Sequence, residues 1–483
     1  MKKKNSIGKN YIYNLLYEIF LLIVPVLVTP YVSRVLSTEN YGKYNFGNSI
    51  IVYVTLFATL GITNYAIREG ARIRIDKQAF QKLAEQIFTI NCVTTIVSYV
   101  IFIVLLIFVP KLHAYWLLLS IQSITVLLTT IGADWVNSIY EDFFYITIRY
   151  IIVQIVSIIL MFILVKKPED YIIYAGIHVF ANVGANVANF IHIRRYTHLR
   201  LTRHMNIKQH IKPMLMLFCN SLSVQLYINS DITLLGIMQN DVAVGIYSAA
   251  VKIYNIVKQL LNAVIVVIIP RISALLGENK IKEYNKLLGT VFHGILSVIM
   301  PLITGIFMLS YEIIALIGGE EYAVGYWSLR VLSLALCGAV FANFFTNAIL
   351  VPNKKEKNFM IATLIAASVN IGLNFIFIPL FSYVGAAITT VIAEFIVLGF
   401  GYHYAKGLYN FKFSVRDILS CIIGCIGIVI VCAVAKLLFS NSFIILCVSA
   451  LISVVVYGMI LIVMKNSLTN IIIQVLKKKL KKS

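Results

Sequence analysis

Residues 230–270 read SDITLLGIMQNDVAVGIYSAAVKIYNIVKQLLNAVIVVIIP, and they put charge where the rest of the composition avoids it. Asp231, Lys252 and Lys258 sit inside two apolar runs, each long enough to cross a bilayer. An ionisable side chain at membrane depth costs at least ~2.5 to 3.5 kcal/mol on insertion scales, so it normally faces a protein-lined cavity rather than lipid. In the second run Lys252, Asn255, Gln259 and Asn262 fall at steps of three, four and three, on one face of a helix. Val257, Leu261, Val264 and Ile265 lie elsewhere around it. The stretch predicts a membrane helix with one wet, cationic side. Snorkelling to the headgroups competes with this reading. Lys252 lies about seven residues from Gly245, roughly 10 Å of helix, whereas Lys258 is about 20 Å from that end, near mid-bilayer.

Composition carries the same conclusion to the whole chain. With 483 residues, 60% hydrophobic and 13% charged, it exceeds the apolar share of a soluble protein and predicts an all-α integral membrane protein. A net charge of +21 would suggest nucleic acid in a soluble chain. Here it reads as orientation, and no nucleic-acid partner is expected. The seven cysteines all lie in apolar runs without paired C-x-x-C motifs, so they read as small buried residues, neither disulfides nor a zinc site. No metal and no cofactor is expected. The start, MKKKNSIGKN before an apolar run, imitates a signal peptide, but that run is too long, holds Pro25 and Pro30, and lacks a small-residue cleavage site. It is expected to stay as the first span.

Windows of about 20 apolar residues predict about fourteen spans, near 11–34, 44–66, 84–109, 115–134, 150–165, 171–193, 213–237, 245–269, 289–311, 325–351, 359–378, 384–404, 418–438 and 443–464. Connecting segments on one side hold about 32 Lys and Arg, and those on the other about 5. Both termini are therefore expected in the cytoplasm. The domains follow: a cytoplasmic segment 1–10, an N-lobe 11–193, a basic cytoplasmic linker 194–212, a C-lobe 213–404, two further spans in 418–464, and a basic amphipathic tail 465–483 on the inner leaflet.

Further ionisable and polar residues extend the predicted cavity. Pro25 and Pro30 each remove a backbone hydrogen bond and predict a hinge in span 1, with Asn14, Tyr17 and Glu18 on its inner half and Arg34 at its outer end. Glu18 has a packing reading beside the cavity one, and Arg34 a headgroup reading. Tyr227 and Asp231 share a face of span 7, Asn343, Thr346 and Asn347 line span 10, Arg330 lies near its outer end, and Glu394 is near the middle of span 12. Asp231, Lys252 and Arg330 are expected at similar depth, as an outer gate. Glu18 or Glu394, protonated by desolvation, would suit a coupling proton. Lys436 reads as a snorkelling residue. The segment DWVNSIYEDFFYITIRY, 134–150, reads as an aromatic anchor at headgroup level.

The halves repeat. SRVLSTENYGKYNFGNSIIVY and LLGIMQNDVAVGIYSAAVKIY each leave a helix, turn, and open the next with Gly-x-Tyr, Gly42 with Tyr44 and Gly245 with Tyr247. An offset of about 203 residues matches an odd-numbered span to an odd-numbered one. This predicts a parallel repeat of six spans with a substrate site at the junction of the halves and alternating access by rocking.

PYVSRVLSTENYGKY (30–44), DWVNSIYEDFFYITIRY (134–150), SDITLLGIMQNDVAVGIYSAAVKIYN (230–255) and IIPRIS (268–273) together resemble the polysaccharide repeat-unit flippases, Wzx type, of the multidrug/oligosaccharidyl-lipid/polysaccharide exporter superfamily. The resemblance covers essentially the whole chain. It implies a fourteen-helix, two-lobed, MATE-like transporter that moves a polyprenyl-pyrophosphate-linked oligosaccharide to the outer leaflet for capsule, exopolysaccharide or O-antigen assembly, alongside glycosyltransferases and a polymerase. It also implies Arg34, Lys252 and Lys258 as lumen cations; Arg330 would add to them. Pyrophosphate needs cationic partners in a low-dielectric cavity, and Tyr227, Asn255, Gln259, Asn262 and Asn343 have the groups that sugars require. Two transporters compete: a lipid-linked peptidoglycan-precursor flippase, and a cation-coupled drug exporter, which would want a carboxylate-lined cavity. A membrane glycosyltransferase or polymerase would need a large catalytic loop, and no outer loop exceeds about fifteen residues.

Overall fold

In the computed structural model, every regular element among the described residues, 7–203, 206–410, 413–470 and 473, is helical. Most of the expected amphipathic tail, including Ile471, Ile472, Val475 and Leu476, lies outside them, as do residues 1–6 of the amino-terminal segment and the side chain of Asn14. Eleven helical stretches are long and apolar enough to cross a membrane, and Trp116–Gly132 is a shorter apolar helix. The protein is a multi-pass membrane protein. Its chain divides into two compact units, Met1–Gly245 and Ile246–Ser483.

The first unit holds α1 (Ile7–Thr59), α2 (Ile62–Ile73), α3 (Lys77–Phe108), α4 (Pro110–His113), α5 (Trp116–Gly132), α6 (Trp135–Ile139), α7 (Phe143–Leu164), α8 (Tyr171–Val183), α9 (Asn186–His192), α10 (Ile207–Met238) and the first residues of α11 (Asp241–Gly277). α1 covers two of the apolar windows. Pro25 and Pro30 lie inside it, and its one non-helical residue is Ser37, at φ 63° and ψ 167°. The backbone therefore breaks at the turn between the two windows, where a left-handed φ is strained for serine. Asp76 starts α3 by accepting from the Gln78 and Ala79 amides at 3.0 Å. Farther along α3, Val97, Val100, Val104 and Phe108 are exposed, as a lipid-facing stripe requires.

The segment 134–150 departs from the headgroup-anchor expectation. Trp135, Val136 and Ile139 are buried with Ile62, Phe80, Ile87 and Met214, and Tyr140 stacks on Tyr196 at 4.3 Å. Glu141 pairs with Arg74 at 2.7 Å, and Asp142 accepts from Tyr196 at 2.8 Å and contacts His192 at 2.9 Å. The aromatics here mostly face protein; Phe144 is exposed. Periodicity over so short a stretch did not distinguish a packed turn from a membrane-surface belt.

The two Gly-x-Tyr turns meet reciprocally within this unit. A Cβ on Gly42 would collide with the Asp241 carbonyl oxygen, and one on Gly245 with the Thr38 carbonyl oxygen. Thr38 lies four residues before Gly42, and Asp241 four before Gly245, so equivalent positions of the repeat face each other. Alongside, Tyr115 donates to both oxygens of Asp241 at 2.7 and 2.8 Å, and Lys111 donates to the Gln239 carbonyl at 3.0 Å.

The second unit continues α11 and adds α12 (Ile281–Met308), α13 (Ser310–Gly318), α14 (Glu320–Ala323), α15 (Tyr326–Asn343), a π-helical stretch Phe344–Leu350, α16 (Glu356–Ala405), α17 (Val415–Leu438) and α18 (Ser442–Val463). α16 breaks at Ser382, with φ 50°, and so also covers two apolar windows. The Tyr326–Leu350 helix is the core of the unit: 72% of its apolar window is buried, against 39% for the next, Val415–Leu438. α17 and α18 pack beside α12 and α13 through Cys421, Ile428, Cys432 and Tyr457, whose hydroxyl donates to the Ser297 carbonyl at 2.9 Å. All seven cysteines are free thiols, but only Cys421 and Cys432 are buried: Cys92, Cys337 and Cys425 are half-buried, and Cys219 and Cys447 are exposed.

Lys436 also corrects an expectation. Rather than snorkelling, its ammonium pairs with the buried carboxylate of Glu312 at 2.8 Å. Glu312 lies on α13, in the short apolar stretch after Leu309, and a carboxylate buried there requires a cation.

Candidate functional site

α11 and α16 bring the central ionisable residues of the second unit together. Glu394 is 3% exposed. Its Oε1 accepts from Lys258 Nζ at 2.5 Å and from the Tyr254 hydroxyl at 2.7 Å. The ammonium also lies 5.4 Å from the centre of the Tyr254 ring. Tyr254 and Lys258 are four residues apart, so one face of α11 presents both to the carboxylate. Gly338 on α15 permits this: a Cβ there would approach the Glu394 carbonyl carbon to 2.9 Å and its Cβ to 3.0 Å. Only a residue without a side chain lets α16 come so near.

Lys252 differs from Lys258. It is half-buried, and among the described residues it makes no hydrogen bond or ion pair. Asn255 and Asn262 on the same face are also half-buried, and Asn262 Oδ1 is enclosed without a hydrogen-bond partner among the described residues. Gln259 is exposed. Leu261 and Ile265 are buried, while Val264 is exposed. α11 is therefore three-sided around its axis: packed, polar and lipid-facing.

The remaining expected residues fall as follows. Arg330 donates from Nε to the Phe307 carbonyl at 3.1 Å, and its guanidinium carbon lies 5.4, 4.8 and 4.9 Å from the ring centres of Phe307, Tyr326 and Trp327. That is an aromatic cage for a cation. Asn343 is half-buried and accepts a hydrogen bond from Asn347 Nδ2 at the start of the π-helical stretch. In the first unit, Asp231 is buried and Tyr227 half-buried on α10, whereas Arg34 and Glu18 on α1 are exposed. The sequence reading did not name Tyr254, Glu312 or the network around Arg149. Tyr254 was detectable as the residue one turn before Lys258.

A profile of the family described as "Polysaccharide biosynthesis protein" matches residues 7–276, and one described as "MatE" matches residues 217–376. A candidate O-antigen transporter of Escherichia coli (strain K12) is 23% identical over 398 residues, 82% of this chain and 95% of that protein. The capsular polysaccharide biosynthesis protein CapF of Staphylococcus aureus is 28% identical over 170 residues, 34% of this chain and 41% of its own length. Among solved structures, the lipid II flippase MurJ in an inward closed conformation superposes with a TM-score of 0.75 at 16% identity, covering 93% of this chain and 98% of that one. An inward-facing multidrug MATE transporter gives a TM-score of 0.56 at 13% identity, over 84% and 95%. These likenesses show a common fold. Because the first profile spans more than half of the sequence, the chain belongs to the polysaccharide biosynthesis protein family, within the multidrug/oligosaccharidyl-lipid/polysaccharide exporter superfamily.

Proposed function

We propose that this protein is a flippase for polyprenyl-pyrophosphate-linked oligosaccharide repeat units, moving them from the inner to the outer leaflet by alternating access. The observation that carries the reading is Lys252, a half-buried ammonium in an apolar helix with no counter-ion among the described residues and with amides one and three turns along the same face. A cation held this way suits a ligand that brings its own negative charge, and pyrophosphate does so with oxygens able to form charge-assisted hydrogen bonds. Asn255, Gln259 and Asn262 would then meet the sugars. The family supports a polysaccharide substrate, as do relatives named for O-antigen transport and capsular polysaccharide synthesis.

Lys258 has a different part in this reading. Glu394 neutralises it, so it reaches the substrate only by leaving the carboxylate or when Glu394 takes a proton. The pair thus supplies a place for coupling, and a transport rate independent of pH would remove it. A fourteen-span topology with cytoplasmic termini belongs to the same proposal, supported by the Lys and Arg distribution and by the breaks at Ser37 and Ser382. Arg34, Arg330, Tyr227, Asn343, Asp231, Glu18 and the prolines of α1 remain its supporting residues.

The experiment is substitution of Lys252 by Ala in a strain whose surface polysaccharide depends on this protein. Export should fall at least tenfold, with lipid-linked oligosaccharide accumulating on the inner leaflet. Unchanged polymer output from a well-expressed Lys252→Ala, Lys258→Ala variant would count decisively against the assignment.

A further inference from the structure

We propose that a cavity of about 350 Å³ inside the first unit binds the phosphate of a lipid headgroup. Tyr17 and Leu21 of α1, Asp134 beside α6, Arg149 and Val153 of α7, and Asn182 of α8 contribute to its wall. This inference needs neither Lys252 nor the transport reading.

Arg149 sets the chemistry. Its side chain is 13% exposed, and Nη2 donates to Asp134 Oδ1 at 2.7 Å. Nη1 is buried and has no hydrogen-bond partner among the described residues. Asp134 Oδ1 already accepts a second bond from Asn189 Nδ2, at 2.9 Å, so this oxygen has two protein donors while the side chain stays about half exposed. What the site lacks is an acceptor for one charged N–H. Leaving such a donor buried and unmet is unfavourable, and an anionic phosphate oxygen satisfies it with a charge-assisted bond. The Tyr145 ring, 5.5 Å from the guanidinium carbon, and the Tyr17–Tyr150 edge-to-face pair at 4.8 Å fix the surroundings.

A lipid fits better than a free anion because part of the same cavity's wall is apolar. Leu21, Ile146 and Val153 line it, and Ile152 and Val156 on the neighbouring face of α7 are exposed as lipid-facing residues are. Arg149 lies six residues into α7, roughly 9 Å along the helix, in the half of the span nearer Phe143. The chemistry is common to two sources: the phosphodiester of a resident phospholipid, and the pyrophosphate of a polyprenyl lipid.

Native mass spectrometry of the full chain in detergent, titrated with phosphatidylglycerol and separately with polyprenyl pyrophosphate, tests this. Every protein carries Lys252→Ala, so that the cation of the proposed transport route contributes nothing. Two further changes are compared: Arg149→Gln, which removes the charged guanidinium, and Ala181→Leu, which fills the cavity but leaves the Arg149–Asp134 pair in place. Each should weaken lipid binding about tenfold or more. A loss confined to phosphatidylglycerol identifies a resident phospholipid, and a loss for polyprenyl pyrophosphate identifies substrate; either supports the site. Unchanged binding of both lipids in both variants overturns it, as does a loss in Arg149→Gln alone with Ala181→Leu unaffected.

Discussion

Lys252 and Lys258 are two turns apart on one helix, yet their partners make them opposite kinds of residue. Removing one member of a buried pair leaves the other charge uncompensated, a loss of about 3–5 kcal/mol when burial is complete. Lys258 keeps 24% side-chain exposure, so Glu394→Ala should destabilise by less, about 2–3 kcal/mol. Lys258→Met combined with Glu394→Gln should recover most of that loss, read by thermal unfolding of the detergent-solubilised protein. Lys252→Ala should leave the unfolding temperature within a degree or two while stopping export. A second residue-scale expectation concerns acid. Burial pushes the Asp142 carboxyl up, but hydrogen bonds from His192 and Tyr196 outweigh it and hold the carboxyl below its ordinary value. Burial and the same carboxylate push the Tyr196 hydroxyl up to about 12. A depressed carboxyl contributes stability that is complete above its unfolded value, near 4, and lost as pH falls through the folded value. Wild type should therefore lose stability relative to Asp142→Asn as pH falls below about 4. The sequence made the charges of α11 visible because each interrupts an apolar run. It could not pair Lys258 with Glu394 across 136 residues, nor distinguish a paired Lys436 from a snorkelling one, because both readings need only a long side chain near a helix end.

At the scale of elements, the apolar windows located the helices because membrane spans need about 20 apolar residues and a helical backbone. Hydropathy carries no signal for where a helix bends. The prolines of α1 suggested a hinge, whereas the non-helical angle falls at Ser37, between two windows. Gly42 and Gly245 had a clearer signature, since their spacing from Tyr44 and Tyr247 repeats, and the structure gives the repeat a physical purpose: each glycine lets a carbonyl of the other turn approach. Gly42→Ala or Gly245→Ala must push two backbones apart, and should destabilise by about 1–3 kcal/mol. Gly305 in α12 is the control, because nothing lies within 4 Å of a Cβ placed there. Gly305→Ala should be neutral or stabilising by up to about 1 kcal/mol, through helix propensity alone. Chemical denaturation of the three variants side by side checks both statements. A Gly245→Ala protein as stable as Gly305→Ala would remove the close crossing as a structural requirement.

For the whole molecule, the relevant quantity is the sidedness of charge. Four of the 41 Lys and Arg residues, Lys252, Lys258, Arg330 and Lys436, fall within apolar spans, and under the proposed fourteen-span topology about 32 of the rest collect on one side. The structure finds a protein partner for three of those four: Glu394 for Lys258, an aromatic cage for Arg330, and Glu312 for Lys436. Charge within the membrane is thus mostly compensated, and charge at its surface is asymmetric. In the proposed topology this asymmetry puts the loops rich in Lys and Arg in the cytoplasm. It follows that reporter fusions after residues 203 and 464 should report the cytoplasm, and fusions at Lys111 and at Lys166–Lys167 the opposite side. Adding three or four lysines beside Lys167 should weaken this preference for the adjacent spans, whereas adding aspartates there should change little, because the rule counts cations rather than net charge. Fusions after 203 and at Lys167 that reported the same side would mean that Tyr171–His192 does not cross, and with it the even number of spans and the inner-leaflet starting point of transport would be lost.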